Sequence, residues 1–118
     1  MKQLLVFYVF FCSLSTFSQN LPKGFSYLSN IDRTIQTELR YITNDNFLGK
    51  PVTGYEKDVL IISTPAAKAL KKIQTKLMDF GLSLKVYDGY RPQQAVDHFV
   101  RWTKVISDTI TKHKYYPK

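Results

Sequence analysis

The alternation of apolar and polar residues from 82 to 87 predicts a strand with one buried face. Asp88 and Gly89 end this strand. Pro92 can begin a helix because its missing N–H lies among donors that would be unpaired anyway, and apolar residues then recur at helical spacing. We therefore expect Arg91 at a strand-to-helix corner.

The remaining pattern predicts two long helices and further strands. The first helix begins near Pro65 and ends before Gly81, and the second runs from 93 to about 111. Residues 38–43 and 59–62 are interpreted as strands, 44–46 as a turn and 21–30 as an extended loop. Two long helices and so few strands predict an α+β layer with an uncovered sheet edge.

Residues 1–19 have the three-part pattern of a secretory signal peptide, leaving 20–118 as the exported part. Lys2 gives a positive start, residues 4–12 are apolar, and residues 13–19 are mostly small and polar. The apolar run is shorter than the roughly 20 residues of a membrane-spanning helix. Cys12 is the only cysteine, so no disulfide is expected after cleavage. The localisation predicted is periplasmic or secreted.

The net charge of +8 permits an anionic partner. Four of the lysines, however, share the polar face of the first predicted helix, and no nucleic-acid-binding motif is present. We therefore expect no nucleic acid partner and favour contact with the anionic cell envelope.

Arg91 is the leading candidate for chemistry. A guanidinium stays protonated and offers a planar fork of donors, which suits a carboxylate, a phosphate or an oxyanion that forms during acyl transfer. The alternative is structural, since an arginine at such a corner can simply pair with Asp88.

Three segments together resemble the D-alanyl-D-alanine dipeptidases, zinc peptidases related to the vancomycin-resistance dipeptidase. They are residues 38–49, the helix containing Ala66 and Ala67, and residues 86–92. The resemblance runs from about Leu21 to the last residue. It implies the N-terminal half of a small zinc-peptidase domain, with two long helices packed on a partial, mainly antiparallel sheet.

The resemblance also implies a function and a set of site residues. The function is exported, zinc-dependent hydrolysis of D-Ala-D-Ala or related D,D-peptides in cell-wall metabolism. Arg91 would stabilise the transition state, and Asp88 and Tyr90 would support the corner. Tyr41, Asn46 and Phe47 are candidate pocket walls, although fixing the loop after the first strand is an equal alternative.

In that family the zinc ligands and the general base lie downstream of the Tyr-Arg-Pro corner, beyond Lys118. The histidines of this sequence are His98 and His113, both expected to be exposed or half-exposed on helices. We expect no metal ligand among these residues, and we expect the 118-residue chain alone to be an inactive fragment.

Two alternatives stay open. One is a non-catalytic envelope protein that binds peptides or another protein through the Arg91 corner, and the other is a related D,D-carboxypeptidase. A downstream reading frame that supplies His, Asp, Glu and His in order would favour an enzyme. The sequence leaves the oligomeric state undetermined.

We expect residues 1–19 to be removed during export, because their charged start, short apolar run and small polar end are what the export machinery recognises. Mass spectrometry of the periplasmic or secreted protein should find an N-terminus near Asn20. A cytoplasmic protein that retains the leader would contradict this prediction.

Overall fold

The computed structural model describes residues 20–117. The predicted signal peptide therefore lies outside the described residues. The elements are, in chain order, β1 (Phe25–Tyr27), α1 (Leu28–Ile31), β2 (Gln36–Thr37), a 3-10 turn (Arg40–Ile42), β3 (Ile61–Ser63), α2 (Thr64–Met78), β4 (Lys85–Val86), α3 (Gln93–Thr103) and α4 (Lys112–Tyr115).

The strands form two separate pairs. β1 and β3 are antiparallel, with Phe25 opposite Ser63, whereas β2 and β4 are parallel, with Gln36 opposite Lys85. The α+β class is confirmed, and so is antiparallel pairing in one of the two sheets. The parallel pair was not expected. It arises because the long connection between β2 and β4 contains α2, which lets the chain return in the same direction.

Helix α2 begins and ends close to its predicted limits. Pro65 occupies its first turn, where the missing N–H costs nothing. At the other end Gly81 adopts a left-handed φ of 69°, and the N–H of Leu82 bonds the carbonyl of Leu77 at 3.1 Å. This arrangement satisfies carbonyls that the helix end leaves without partners.

Helix α3 is shorter than predicted, because it ends at Thr103 rather than near 111. The N–H of Val105 bonds the carbonyl of Trp102 at 2.9 Å, and the Trp102 indole donates to Asp108 Oδ2 at 3.0 Å. These bonds fold the polar segment after the helix back onto it. Short α4 follows.

Two further predictions were wrong. Residues 38–43 contain the 3-10 turn Arg40–Ile42 instead of a strand, and the Asn46 side chain binds the carbonyls of Arg40 and Thr43 in this conformation. Residues 21–30 contain β1 and α1 rather than only loop, because Leu28 is wholly buried and anchors them in the core. Among residues 20–117, no helix has both the length and the apolar content needed to cross a bilayer.

The core consists of two clusters of buried residues. The first lies under α2 and contains Leu28, Ile35, Leu60 and Ala67. The second lies beside α3 and contains Leu48, Val52 and Ala95, with aromatic side chains packed against them. The candidate site is built on the second cluster.

The buried face of α2 does not follow its apolar residues. Ile73 is 47% exposed, and Phe80, just beyond the end of the helix, is 79% exposed. Gln74 is buried instead. Its amide donates to the Thr34 carbonyl at 3.1 Å and accepts the N–H of Leu84 at 2.8 Å, so it joins α2 to the segments leading into β2 and β4.

His98 joins α3 to the loop that precedes Tyr55. The backbone N–H of Thr53 donates to His98 Nδ1 at 3.1 Å, so this nitrogen must be unprotonated. Burial first, and then the charges of Lys50 and Arg101, lower the pKa of His98. His98 is half-buried and His113 is exposed, as expected from the sequence.

We expect this contact to weaken in acid. Because the pKa of His98 is lower in the folded chain than its ordinary 6.5, its stabilisation is present above that pH and is lost as the pH falls through the folded value. The His98→Ala substitution should therefore cost about 1 kcal/mol of unfolding free energy at about pH 8 and less at about pH 5. Urea unfolding at both pH values measures this, with His113→Ala as the control. A cost that does not change with pH would contradict the neutral ring.

Candidate functional site

The strand-to-helix corner is fixed by the close approach of Gly89 to β3. A Cβ added at Gly89 would lie 2.3 Å from the carbonyl oxygen of Ile61, so only glycine fits. The same oxygen accepts the N–H of Tyr90 at 2.6 Å. Arg91 and Pro92 follow directly, and α3 then begins at Gln93. The predicted corner is therefore present.

Asp88 is the central acceptor of this corner. Its Oδ1 accepts the Tyr55 hydroxyl at 2.9 Å and the N–H of Gly89 at 2.9 Å. Its Oδ2 accepts two donors of Arg91, Nη2 at 2.8 Å and Nε at 3.2 Å. Asp88 therefore orients the arginine, and its supporting role in the reaction stays a prediction.

The Arg91 guanidinium also lies against two aromatic rings. Its Cζ is 5.3 Å from the ring centroid of Tyr41 and 5.2 Å from that of Phe99. The hydrogen bonds that Arg91 donates to Asp88 raise the pKa of Arg91 despite partial burial, so the group is permanently charged. Its side chain is still 43% exposed. The guanidinium of Arg91 is therefore held in one orientation while part of it remains exposed to solvent.

Three of the predicted pocket residues line one cleft of about 270 Å³. Tyr41, Asn46 and Phe47 all contribute to it, together with Asp88. Tyr41 and Phe47 pack edge to face with centroids 6.2 Å apart. Arg91 contacts Tyr41 and Asp88, which both line the cleft, whereas the cation that lines the cleft itself is Arg40. The cleft therefore joins aromatic surface to a positive charge.

Asn46 lines the cleft, but its side chain forms hydrogen bonds with the backbone of its own loop. It is 2% exposed, and its amide nitrogen donates to the carbonyls of Thr43 at 2.7 Å and Lys50 at 2.8 Å. Its Oδ1 accepts the N–H of Leu48 at 2.8 Å. This geometry favours the alternative role, in which Asn46 fixes the loop, and its contact with substrate stays a prediction.

Tyr90 lies apart from the cleft. Its side chain is about half exposed and packs edge-on against Phe25, with ring centroids 6.0 Å apart. With Leu21 and Ile61 it borders a separate apolar groove. Its support of the corner comes through its backbone bond to Ile61 rather than through its ring.

Sequence reasoning missed Tyr55, which it placed in an irregular segment. Its hydroxyl bonds Asp88, and its ring lies 5.2 Å from that of Tyr41. Burial, and then the hydrogen bond and charge of Asp88, raise the pKa of Tyr55, so the hydroxyl keeps its proton and donates it. Pro51 and Gly54 in the same segment predict a turn, but they do not predict this contact.

The side chain of Arg40 lines the cleft and is already paired with an acidic residue. Arg40 Nε lies 2.6 Å from Glu38 Oε1, and Lys85 also pairs with Glu38. The hydrogen bond from Lys85, followed by that from Arg40, lowers the pKa of Glu38. The Arg40 guanidinium stacks over Tyr87 at 4.7 Å. These exposed pairs shape the rim and add little stability.

The described residues do not fit a zinc site. Within 20–117, no group of three His, Cys, Asp or Glu side chains lies close enough together to hold a metal ion. His98 is engaged by Thr53, and Asp88 is engaged by Arg91 and Tyr55. What this part of the chain offers is a bound cation, aromatic surface and a shaped cleft.

Comparison with known proteins places these features in a family. A family model described as D-Ala-D-Ala dipeptidase matches residues 22–118. The chain is 41% identical over 97 residues to a D-alanyl-D-alanine dipeptidase of Enterococcus faecalis, covering 82% of this chain and 48% of the relative. A protein of the same name in Streptomyces coelicolor is 39% identical, over 79% of this chain and 46% of the relative. Another, in Enterococcus faecium, is 37% identical, over 80% of this chain and 46% of the relative. The chain spans about half the length of these relatives.

We expect Asn46→Ala to destabilise the chain by roughly 3 kcal/mol, because it leaves the carbonyls of Thr43 and Lys50 and the buried N–H of Leu48 without their partner. Urea unfolding measures this. Asn44→Ala, at an exposed position of the same turn, is the matched control and should be nearly neutral. Unchanged stability in Asn46→Ala would contradict the role in fixing the loop and return the residue to substrate binding.

Proposed function

The chain belongs to the D-Ala-D-Ala dipeptidase family, and on that premise we propose that it forms the N-terminal part of an exported D-Ala-D-Ala dipeptidase, with D-Ala-D-Ala or a related D,D-peptide as substrate. The observation that carries this proposal is the Arg91 guanidinium, which is held by Asp88 and Tyr41, two residues that line the aromatic cleft.

Arg91 suits the charge that develops when an amide carbonyl is attacked. The oxygen becomes an oxyanion, and a donor already in place stabilises it without reorganising during the reaction. Asp88 holds one edge of the guanidinium, and Tyr41 and Phe99 support its face. Its exposed remainder is free to meet the substrate. Arg91 is therefore proposed as a transition-state stabiliser.

The cleft supports a small substrate. Its volume of about 270 Å³ and its aromatic walls, Tyr41 and Phe47, suit a short peptide with small side chains. Because Asn46 is committed to its loop, the walls act through shape rather than through many hydrogen bonds. In this proposal, Arg91 binds the charged or polarised group of the substrate.

The family is one of zinc metallopeptidases, and zinc is the cofactor proposed for the complete domain. The residues described here do not supply its ligands. We therefore assign the metal to residues outside 20–117 and give this part of the chain the roles of binding, orientation and charge stabilisation. Export through residues 1–19 would bring these groups to the cell envelope, where wall peptides occur.

The proposal is tested in a chimera that joins residues 20–118 to the C-terminal half of the Enterococcus faecalis relative. We expect it to bind zinc and release D-alanine from D-Ala-D-Ala. Arg91→Lys should lower kcat by about 10²–10³ with unchanged zinc content and melting temperature, because an ammonium cannot reproduce the planar fork. The kinetic, metal and thermal measurements use one preparation.

Arg101→Lys is the matched control, since Arg101 is exposed in the last turn of α3. It should keep normal turnover. If Arg91 is only structural, Arg91→Lys will lower the melting temperature while the folded fraction keeps its kcat. A folded, zinc-loaded chimera that does not cleave D-Ala-D-Ala would contradict the proposed substrate.

A further inference from the structure

The two oxygens of the Asp88 carboxylate accept hydrogen bonds from different donors. Arg91 binds Oδ2 through Nη2 and Nε, whereas Oδ1 accepts the Tyr55 hydroxyl and the N–H of Gly89, both at 2.9 Å. Gly89 fixes the carboxylate from within its own turn. Tyr55 is the donor that reaches Asp88 from another part of the chain, and it limits rotation of the carboxylate plane.

Tyr55 also contacts the second support of Arg91. Its ring lies 5.2 Å from that of Tyr41 at an interplanar angle of 48°, and the Arg91 guanidinium lies over the same Tyr41 ring. One side chain therefore touches both the acceptor that directs the guanidinium and an aromatic ring beneath it. A shift of Tyr55 would disturb both contacts together.

The loop that carries Tyr55 is itself held in place. Val52 is 2% exposed, and its N–H bonds the carbonyl of Tyr41 at 2.8 Å. Thr53 bonds His98 on α3. Gly54 has a φ of 97° and lies so close to Pro92 that a Cβ would approach the proline at 3.2 Å. The loop is thus packed on the start of the helix that Arg91 precedes.

We propose that Tyr55 is a positioning residue for the reaction, one that acts through Asp88 and Tyr41 to set the direction in which Arg91 faces the substrate. The inference rests on the proposed function of Arg91. Tyr55 itself need not touch the reacting atoms. Burial and the hydrogen bond to Asp88 raise the pKa of its hydroxyl, which favours the protonated form that donates to Asp88.

The first test uses the chain itself, as residues 20–118. Tyr55→Phe keeps the ring on Tyr41 and removes only the hydroxyl. Proton NMR should show Arg91 Hε exchanging with water several-fold faster, since the carboxylate that accepts it is less well held. Tyr116→Phe is the control, because it also removes a tyrosine hydroxyl bond, one to the Asp108 carbonyl at 3.3 Å. Unchanged exchange in Tyr55→Phe would overturn the inference.

The second test is a double-mutant cycle in the chimera. Tyr55→Phe should lower kcat by about three- to tenfold with KM nearly constant, and it should add little once Arg91 is already lysine. Tyr116→Phe should change neither constant. A purely structural role predicts that the kcat losses of Tyr55→Phe and Arg91→Lys multiply.

The two proposals fail differently. If Arg91→Lys leaves kcat unchanged, the proposed function of Arg91 is wrong and the positioning role falls with it. If Arg91→Lys is severe while Tyr55→Phe is silent, or while the two losses multiply, the proposed function stands and the assignment of Tyr55 is overturned.

Discussion

The approach of Gly89 to the Ile61 carbonyl is the contact on which the rest of the site depends. No side chain fits there, and the same oxygen holds the N–H of Tyr90. The corner is therefore pinned to the β1–β3 pair at one point, with Asp88 on one side of it and Arg91 on the other. Because the first core cluster supports β3, the geometry of the cleft depends on packing that lies outside the cleft.

The ion pair of Asp88 and Arg91 matters for direction more than for stability. A half-exposed pair of this kind contributes little to folding. Two donors on one carboxylate oxygen, however, restrict the guanidinium to a narrow range of orientations, and the rings of Tyr41 and Phe99 restrict it further. The ion pair therefore adds little to folding stability but strongly restricts the orientation of the guanidinium. A charge that is preorganised for a reaction requires such a restriction.

The features that could be predicted from the sequence are those set by residues close together in the chain. The first-turn Pro65, the Gly81 stop and the turn at Asp88 and Gly89 each have a mechanism within a few residues, and each was found. The errors come from side-chain hydrogen bonds, which a pattern of apolar and polar residues does not show. Buried Gln74 replaces an apolar neighbour because its amide satisfies two distant backbone groups, and Asn46 binds a carbonyl of residues 38–43, which contain a 3-10 turn rather than a strand. Tyr55 is 33 positions from Asp88, so no local pattern could show their contact.

The contacts of Arg91 also restrict how a substrate can reach it. Asp88 occupies one edge of the guanidinium, while Tyr41 and Phe99 lie against it. The exposed part of the side chain is what remains for an incoming carbonyl oxygen. In the proposed function, an incoming carbonyl would meet Arg91 from that exposed side, and zinc held by other residues would supply Lewis-acid chemistry to the same reaction. Arg91 therefore offers a substrate one open edge, and the side from which a carbonyl oxygen can bind is set by Asp88, Tyr41 and Phe99.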